Sequence, residues 1–139
     1  MLLHEYLRAY LFLIPLFVLV LSELVKIAVE GIRTGNWHER LFRSGGMPSS
    51  HSAFVTSLLM IVEHKRGIES VEFAIAFCFA AIVWYDAMGV RREVGRQAEL
   101  LNRLQKWQKL SVNLGHSFLE VLGGIVFGAA VTLVGIWLS

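Results

Sequence analysis

The sequence predicts an all-α, polytopic membrane helix bundle with about four transmembrane spans and a cytoplasmic amphipathic helix, a single integral-membrane domain over residues 1–139. Three observations lead there. Of 139 residues, 55% are hydrophobic and only 17% charged, with mean hydropathy +0.58; a fold this small has too much surface to hide so much apolar side chain from water. Four apolar stretches approach the ~20 residues that cross a hydrocarbon core, and Lys and Arg are distributed unevenly between them. The formal charge of +2 gives no reason to expect a nucleic-acid partner. The single cysteine, Cys78, excludes an intramolecular disulfide and reads as a small core residue between Phe77 and Phe79.

The first span runs from about Tyr6 to Val29. It lacks a small-x-small cleavage pattern and has only Arg8 as a clear basic residue ahead of its apolar core, so it reads as a permanent span rather than a secretory signal. Pro15 within it predicts a kink. The second span, about Pro48 to Val62, is the weakest, because it opens on Ser49-Ser50-His51-Ser52, which must face protein or water rather than lipid. The third runs from about Val71 to Val90 and the fourth from about Leu114 to Leu138.

Arg33, Arg40, Arg43, Arg91, Arg92, Arg96, Arg103, Lys106 and Lys109 fall on one side of these spans; the other side has Arg8, Lys65 and Arg66. By the positive-inside rule the first set is cytoplasmic and both termini are outside. Between spans three and four, Val94, Ala98, Leu101, Leu104 and Trp107 recur at helical steps within Arg91 to Asn113. That spacing fits an amphipathic helix on the cytoplasmic surface, where anionic headgroups are attracted to its bases. A solvated connector whose bases serve only topology fits equally well.

Ionisable residues inside spans are costly and therefore candidates for function. Glu23, Lys26, Glu30 and Arg33 share one helical stripe, within about 80° of arc. They face a partner, either as a site or as a buried ion network in which the two acids neutralise the two bases. In Ser44-Gly45-Gly46-Met47-Pro48-Ser49-Ser50-His51, glycines free the backbone to approach a ligand, and helix-start N–H groups with hydroxyls form an anion site. Taken alone, the Ser-Ser-His turn is as easily a helix cap. Trp84 and Tyr85 read as an interfacial belt, and Asp86 can pair with Arg91, Arg92 or Lys26. His116 and Glu120 are four apart on one face, so the carboxylate can hold one imidazole nitrogen and aim the other at a substrate. Gly124 and Gly128 are spaced for close helix contact. His4, His38, His64 and Trp37 read as interfacial residues. All four spans bring polar groups to their cytoplasmic ends. Two histidines, several cations, hydroxyls and a helix start at headgroup depth suit a phosphorylated lipid.

At these residues the chain resembles the type-2 phosphatidic acid phosphatase superfamily, which includes vanadium haloperoxidases, and most of all its short divergent branch. Lys26 and Arg33 keep the spacing of the superfamily's first motif, with Thr34 in place of proline; Pro48-Ser49-Ser50-His51 matches Pro-Ser-Gly-His; His116 and Glu120 keep the end of the third motif, with Glu for Asp. The third motif's Ser-Arg pair is absent, with Leu110 and Ser111 in that stretch. Arg91 is the expected substitute. Its surroundings, Asp86 to Arg92 with Gly95, Gln97-Ala98 and Leu101-Asn102, resemble the divergent branch in particular.

The resemblance implies metal-independent hydrolysis of a lipid phosphomonoester through a phosphohistidine, with no cofactor. His116 would attack phosphorus, Glu120 would orient it, and His51 would protonate the leaving alkoxide. Lys26, Arg33, Arg91, Ser50 and the N–H groups near Gly46 would hold the phosphate oxygens, supported by Asp86, Ser49 and Arg92. A cytoplasmic site would meet phosphatidic acid or phosphatidylglycerol phosphate; polyprenyl phosphate or pyrophosphate is the alternative substrate, and a non-catalytic phospholipid-binding or transport protein the alternative function. A metal hydrolase built on His51, His116, Asp86 and Glu120 lacks a compact ligand spacing. The superfamily's larger members have six spans, so four here leave room for a homodimer that completes the site.

Overall fold

The computed structural model describes residues 10–35, 46–112 and 114–139. The readings placed on His4, Tyr6, Arg8, Trp37, His38, Arg40, Arg43, Ser44, Gly45 and Asn113 lie outside them. Five helices and no strand occur among the described residues: α1 (Leu13–Thr34), α2 (Ser50–Arg66), α3 (Val71–Met88), α4 (Val90–Leu104) and α5 (Phe118–Trp137). The chain is all-α, as expected.

Helix α2 lies at the centre, packed against α1, α3 and α5. Its small residues explain how it can. Ser50, Ser52, Ala53, Val55, Thr56 and Ser57 are all buried, on more than one side of the helix, and small side chains let neighbouring backbones approach. Ser49 caps the helix, accepting from the Ser52 N–H at 3.4 Å and sharing a 2.9 Å hydroxyl contact with Ser52. Thr56 returns its hydroxyl to the Ser52 carbonyl at 2.7 Å. The three serines at the opening of α2 therefore face protein, whereas His51 among them is exposed.

The seam between α2 and α5 is closed by glycine. A Cβ on Gly124 would lie 2.4 Å from the Ser49 carbonyl oxygen, and one on Gly128 2.4 Å from that of Ala53. One turn farther on, the Thr132 hydroxyl lies 2.7 Å from that of Ser57 and 2.6 Å from the Gly128 carbonyl. Beyond this polar seam, Leu11, Ile14 and Ile61 form an apolar cluster with Ile136 against it.

Among the described residues, two stretches are long and apolar enough to cross a membrane: Val71–Leu104 and Phe118–Trp137. Helix α1 carries Glu23, Lys26, Glu30 and Arg33, and α2 has only 17 residues. Helix α3 buries Ala76, Ala80 and Ala87 and turns its bulky side chains outward, with Ile75, Ile82 and Tyr85 all well over half exposed. Cys78 belongs to that outer face and is exposed. This corrects the reading of it as a core residue: alanines, not the cysteine, supply the inward positions. Pro15 falls in the first turn of α1, where a missing N–H costs no intrahelical bond, so the expected kink has no cause.

The amphipathic segment is also shorter than its periodicity suggests. Helix α4 breaks from α3 at Gly89 and ends at Leu104 rather than continuing to Asn113. Gln105 takes the Gln108 N–H at 2.9 Å, and Asn102 binds the Leu110 N–H at 2.8 Å and its carbonyl at 2.9 Å. These side chains draw the chain back on itself. Trp107 lies past the helix and is exposed, as are Val94, Leu101 and Leu104, whereas Ala98 is buried with Gly95.

Candidate active site

Three junctions bring the candidate residues together. On α1, Lys26 is buried, and its ammonium donates to Ser50 Oγ at 2.8 Å and to Glu23 Oε1 at 3.0 Å. The Ser50 hydroxyl donates to the same carboxylate oxygen. Glu23 thus neutralises Lys26, the ion-network reading of the stripe, while Lys26 and Ser50 are joined as the phosphate-site reading requires. Arg33, one turn past Glu30, lines a separate cavity.

His116 occupies the central position. Its side chain is 8% exposed, and its backbone N–H donates to the Ala87 carbonyl at 3.0 Å, fixing it to the end of α3. It borders two cavities. The smaller, about 150 Å³, is lined by His51, Asp86, Arg91 and His116 with Ile82 and Val83. The larger, about 690 Å³, is lined by Arg33, Gly46, Arg92, Arg96, His116, Ser117 and Glu120, among others. Gly46 has φ +93°, a conformation that side-chain-bearing residues rarely adopt. Both histidines therefore share one chamber, and three arginines from α1 and α4 share the other.

Glu120 has two tasks. It closes a capping box, its Oε2 accepting the Ser117 N–H at 2.7 Å while Ser117 Oγ accepts the Glu120 N–H at 3.3 Å. The same Oε2 lies 3.6 Å from His116 Nδ1, which is buried and has no hydrogen-bond partner among the described residues. The carboxylate faces the imidazole as spacing suggested, just beyond hydrogen-bond range. His116 precedes α5, and burial holds its imidazole below the usual range against the opposing pull of Glu120. A neutral imidazole is the nucleophilic form.

Asp86 chooses among its three candidate partners: it pairs with Arg91 at 2.6 Å. Arg92 lies apart from that pair, in the larger cavity with Arg33. Ser49 serves as the cap of α2 and receives a backbone tie to α5, its N–H donating to the Glu120 carbonyl at 3.1 Å. Among the described residues no group of three or more His, Cys, Asp and Glu is arranged to hold a metal ion.

Residues 7–131 match the model of the divergent PAP2 family. The chain belongs to that family. A relative 34% identical over 152 aligned residues, covering 94% of this chain and 96% of its own, is an uncharacterized membrane protein, YuiD, of Bacillus subtilis (strain 168). No solved structure matches.

Within this divergent PAP2 chain, sequence reasoning did not single out Arg96, Ser117 or Glu99, all of which line the larger cavity. Arg96 stands one turn after Arg92 on the same face of α4, a signal the four-residue step carries. Ser117 and Glu120 spell the Ser-x-x-Glu signature of a capped helix start.

Proposed function

We propose that this chain is an integral-membrane lipid phosphatase that hydrolyses a phosphomonoester of a lipid headgroup, phosphatidic acid or phosphatidylglycerol phosphate, through a phosphohistidine. The observation that carries the proposal is the seat of His116: buried, beside Glu120, between a chamber shared with His51 and one lined by Arg33, Arg92 and Arg96 together with Glu30, Glu99 and Glu120. His116 Nε2 attacks phosphorus, the bond to the lipid oxygen breaks, and His51 gives that alkoxide a proton. Water then attacks the phosphohistidine, His51 takes its proton, and inorganic phosphate leaves with His116 restored. Lys26 and Ser50, with Arg91 in the smaller chamber or Arg33, Gly46 and Arg92 in the larger, stabilise the oxygens as negative charge gathers on them.

The setting is a four-span bundle with the site at its cytoplasmic ends and both termini outside. The outward apolar faces of α3 and α5, the bases of α4 and the membrane-protein relative support it. The exposed Val94, Leu101 and Leu104 give α4 an apolar flank for the bilayer surface. A homodimer that completes the site belongs to the same proposal.

A panel of phosphatidic acid, phosphatidylglycerol phosphate and undecaprenyl phosphate and pyrophosphate, assayed for phosphate release in detergent with chelator present, tests the reading. Release by wild type and none by His116→Ala supports it, and the best substrate names the class. The engagement of Glu120 in the α5 cap favours one other reading, a phospholipid-binding protein without turnover. Binding of these lipids without release from any of them would establish that one instead.

A further inference from the structure

The segment that carries His116 is strapped along α4. Leu110 is held at Asn102 by two hydrogen bonds, of 2.8 and 2.9 Å. Val112 crosses Gly95, where an added Cβ would lie 2.5 Å from its carbonyl oxygen. Gly115 crosses Arg92, with its own added Cβ 2.4 Å from the Arg92 Cα. His116 then binds the Ala87 carbonyl at 3.0 Å. The strap runs antiparallel to the helix, from its last turn to its first.

The strap is fixed at successive points along the helix: Leu110 at Asn102 in the last turn, then Val112 at Gly95 and Gly115 at Arg92 toward the first. Gly95, Ala98 and Asn102 share one face of α4, by steps of three and four; Gly95 and Ala98 are buried. Among the described residues, the polar grip on the strap in this groove is at its far end, on Leu110.

We propose that Asn102 is a positioning residue for the nucleophile: by clamping Leu110 it holds the segment that leads to His116 against α4, and with it the place of His116 between the two chambers. This rests on the assignment of His116 as nucleophile. It also gives a physical role to the Gly95, Ala98 and Asn102 positions, which the proposed chemistry leaves unused.

The test pairs kinetics with a readout that needs no activity. In Asn102→Ala, amide hydrogen exchange of the peptide covering residues 110–117 should rise at least about tenfold while that of α2 and α5 stays unchanged. In parallel kcat should fall about 10- to 100-fold, as an ångström of misplacement does, with KM within about twofold. Asn102→Asp, which keeps the acceptor for the Leu110 N–H, should recover part of the loss. Gly95→Ala, which lifts the strap at Val112, should reproduce it and covers the case in which Asn102→Ala does not fold. Unchanged exchange over 110–117 overturns the clamp whatever the activity. Loosened exchange with unchanged kcat, or a fall in kcat accompanied by faster exchange throughout the bundle, overturns the positioning role. If the wild-type chain releases no phosphate, exchange alone decides the clamp and the failure belongs to the phosphatase reading.

Discussion

Replacing Gly124 by alanine should damage both stability and the site, and the size of the effect follows from the α2–α5 seam. The new Cβ would meet the Ser49 carbonyl oxygen at 2.4 Å, with the Ser52 and Ser49 Cβ atoms at 3.0 and 3.1 Å. Ordinary contact begins near 3.4 Å, so the helices must part by about 1 Å. Both obstacles nearest to it are backbone or buried cap atoms, so neither yields cheaply. Overpacking of this kind costs about 1 to 3 kcal/mol. Here the upper end applies, less about 1 kcal/mol that alanine returns in helix propensity, for a net loss of about 2 kcal/mol. The displaced residue is the cap of α2, with Ser50 and His51 following it. Activity should therefore fall about 10²-fold. Gly128→Ala meets Ala53 at the same 2.4 Å one turn away from the site, so it should lose similar stability with a smaller loss of activity. Gly135→Ala meets only side-chain atoms of Ile14, the nearest at 3.1 Å, and should be close to neutral. Thermal unfolding in detergent by tryptophan fluorescence, alongside phosphate release, reads all three. Wild-type stability and turnover in Gly124→Ala would refute the argument.

Thr132→Val leaves the buried Ser57 hydroxyl without its 2.7 Å partner and should cost about 1 to 3 kcal/mol with turnover retained, measured by the same unfolding assay. A maleimide is attacked by the thiolate, a form hydrocarbon disfavours, so Cys78, on the outer face of α3, should resist charged and uncharged maleimides in membranes and react with both once the protein is denatured; labelling by a charged one in membranes would place that face in water. Arg91→Ala and Arg92→Ala separate the two chambers. Arg91 is partly exposed and paired to Asp86, a contact worth at most about 1 kcal/mol of stability, so both variants should fold, and the larger rise in KM for lipid phosphate identifies the chamber that holds the substrate oxygens.

Much of this molecule was readable as residues. Helical spacing placed Lys26 toward its partners, because that relation lies within one helix turn and its charge cannot face lipid. The serines of α2 announced a protein-facing start for the same reason. His116 also meets Glu120, but from the stretch before the α5 cap rather than from a helix face. What escaped depends on chain direction after a helix ends. The stripe from Val94 to Trp107 has helical period throughout, yet Asn102 and Gln105 turn the chain at Leu104, an event set by two side-chain amides that periodicity does not register. Cys78 was misplaced because a uniformly apolar run has no phase: only the small size of Ala76 and Ala80 marks the inward face. The division of the arginines between two chambers was equally invisible, since Arg91 and Arg92 are adjacent in sequence and 100° apart on the helix.

The central, hydroxyl-rich α2 also bears on how the chain enters a membrane. On the four-span reading it is the least apolar span, and its close companions Gly124, Gly128 and Thr132 belong to α5, which is made after it. While α3 and α4 are being made, α2 has no such neighbour to cover Ser49, Ser52 and Ser57. On that reading the hydroxyls of α2 gain this cover only once α5 is made, so the helix around which the others pack is completed after its sequence neighbours.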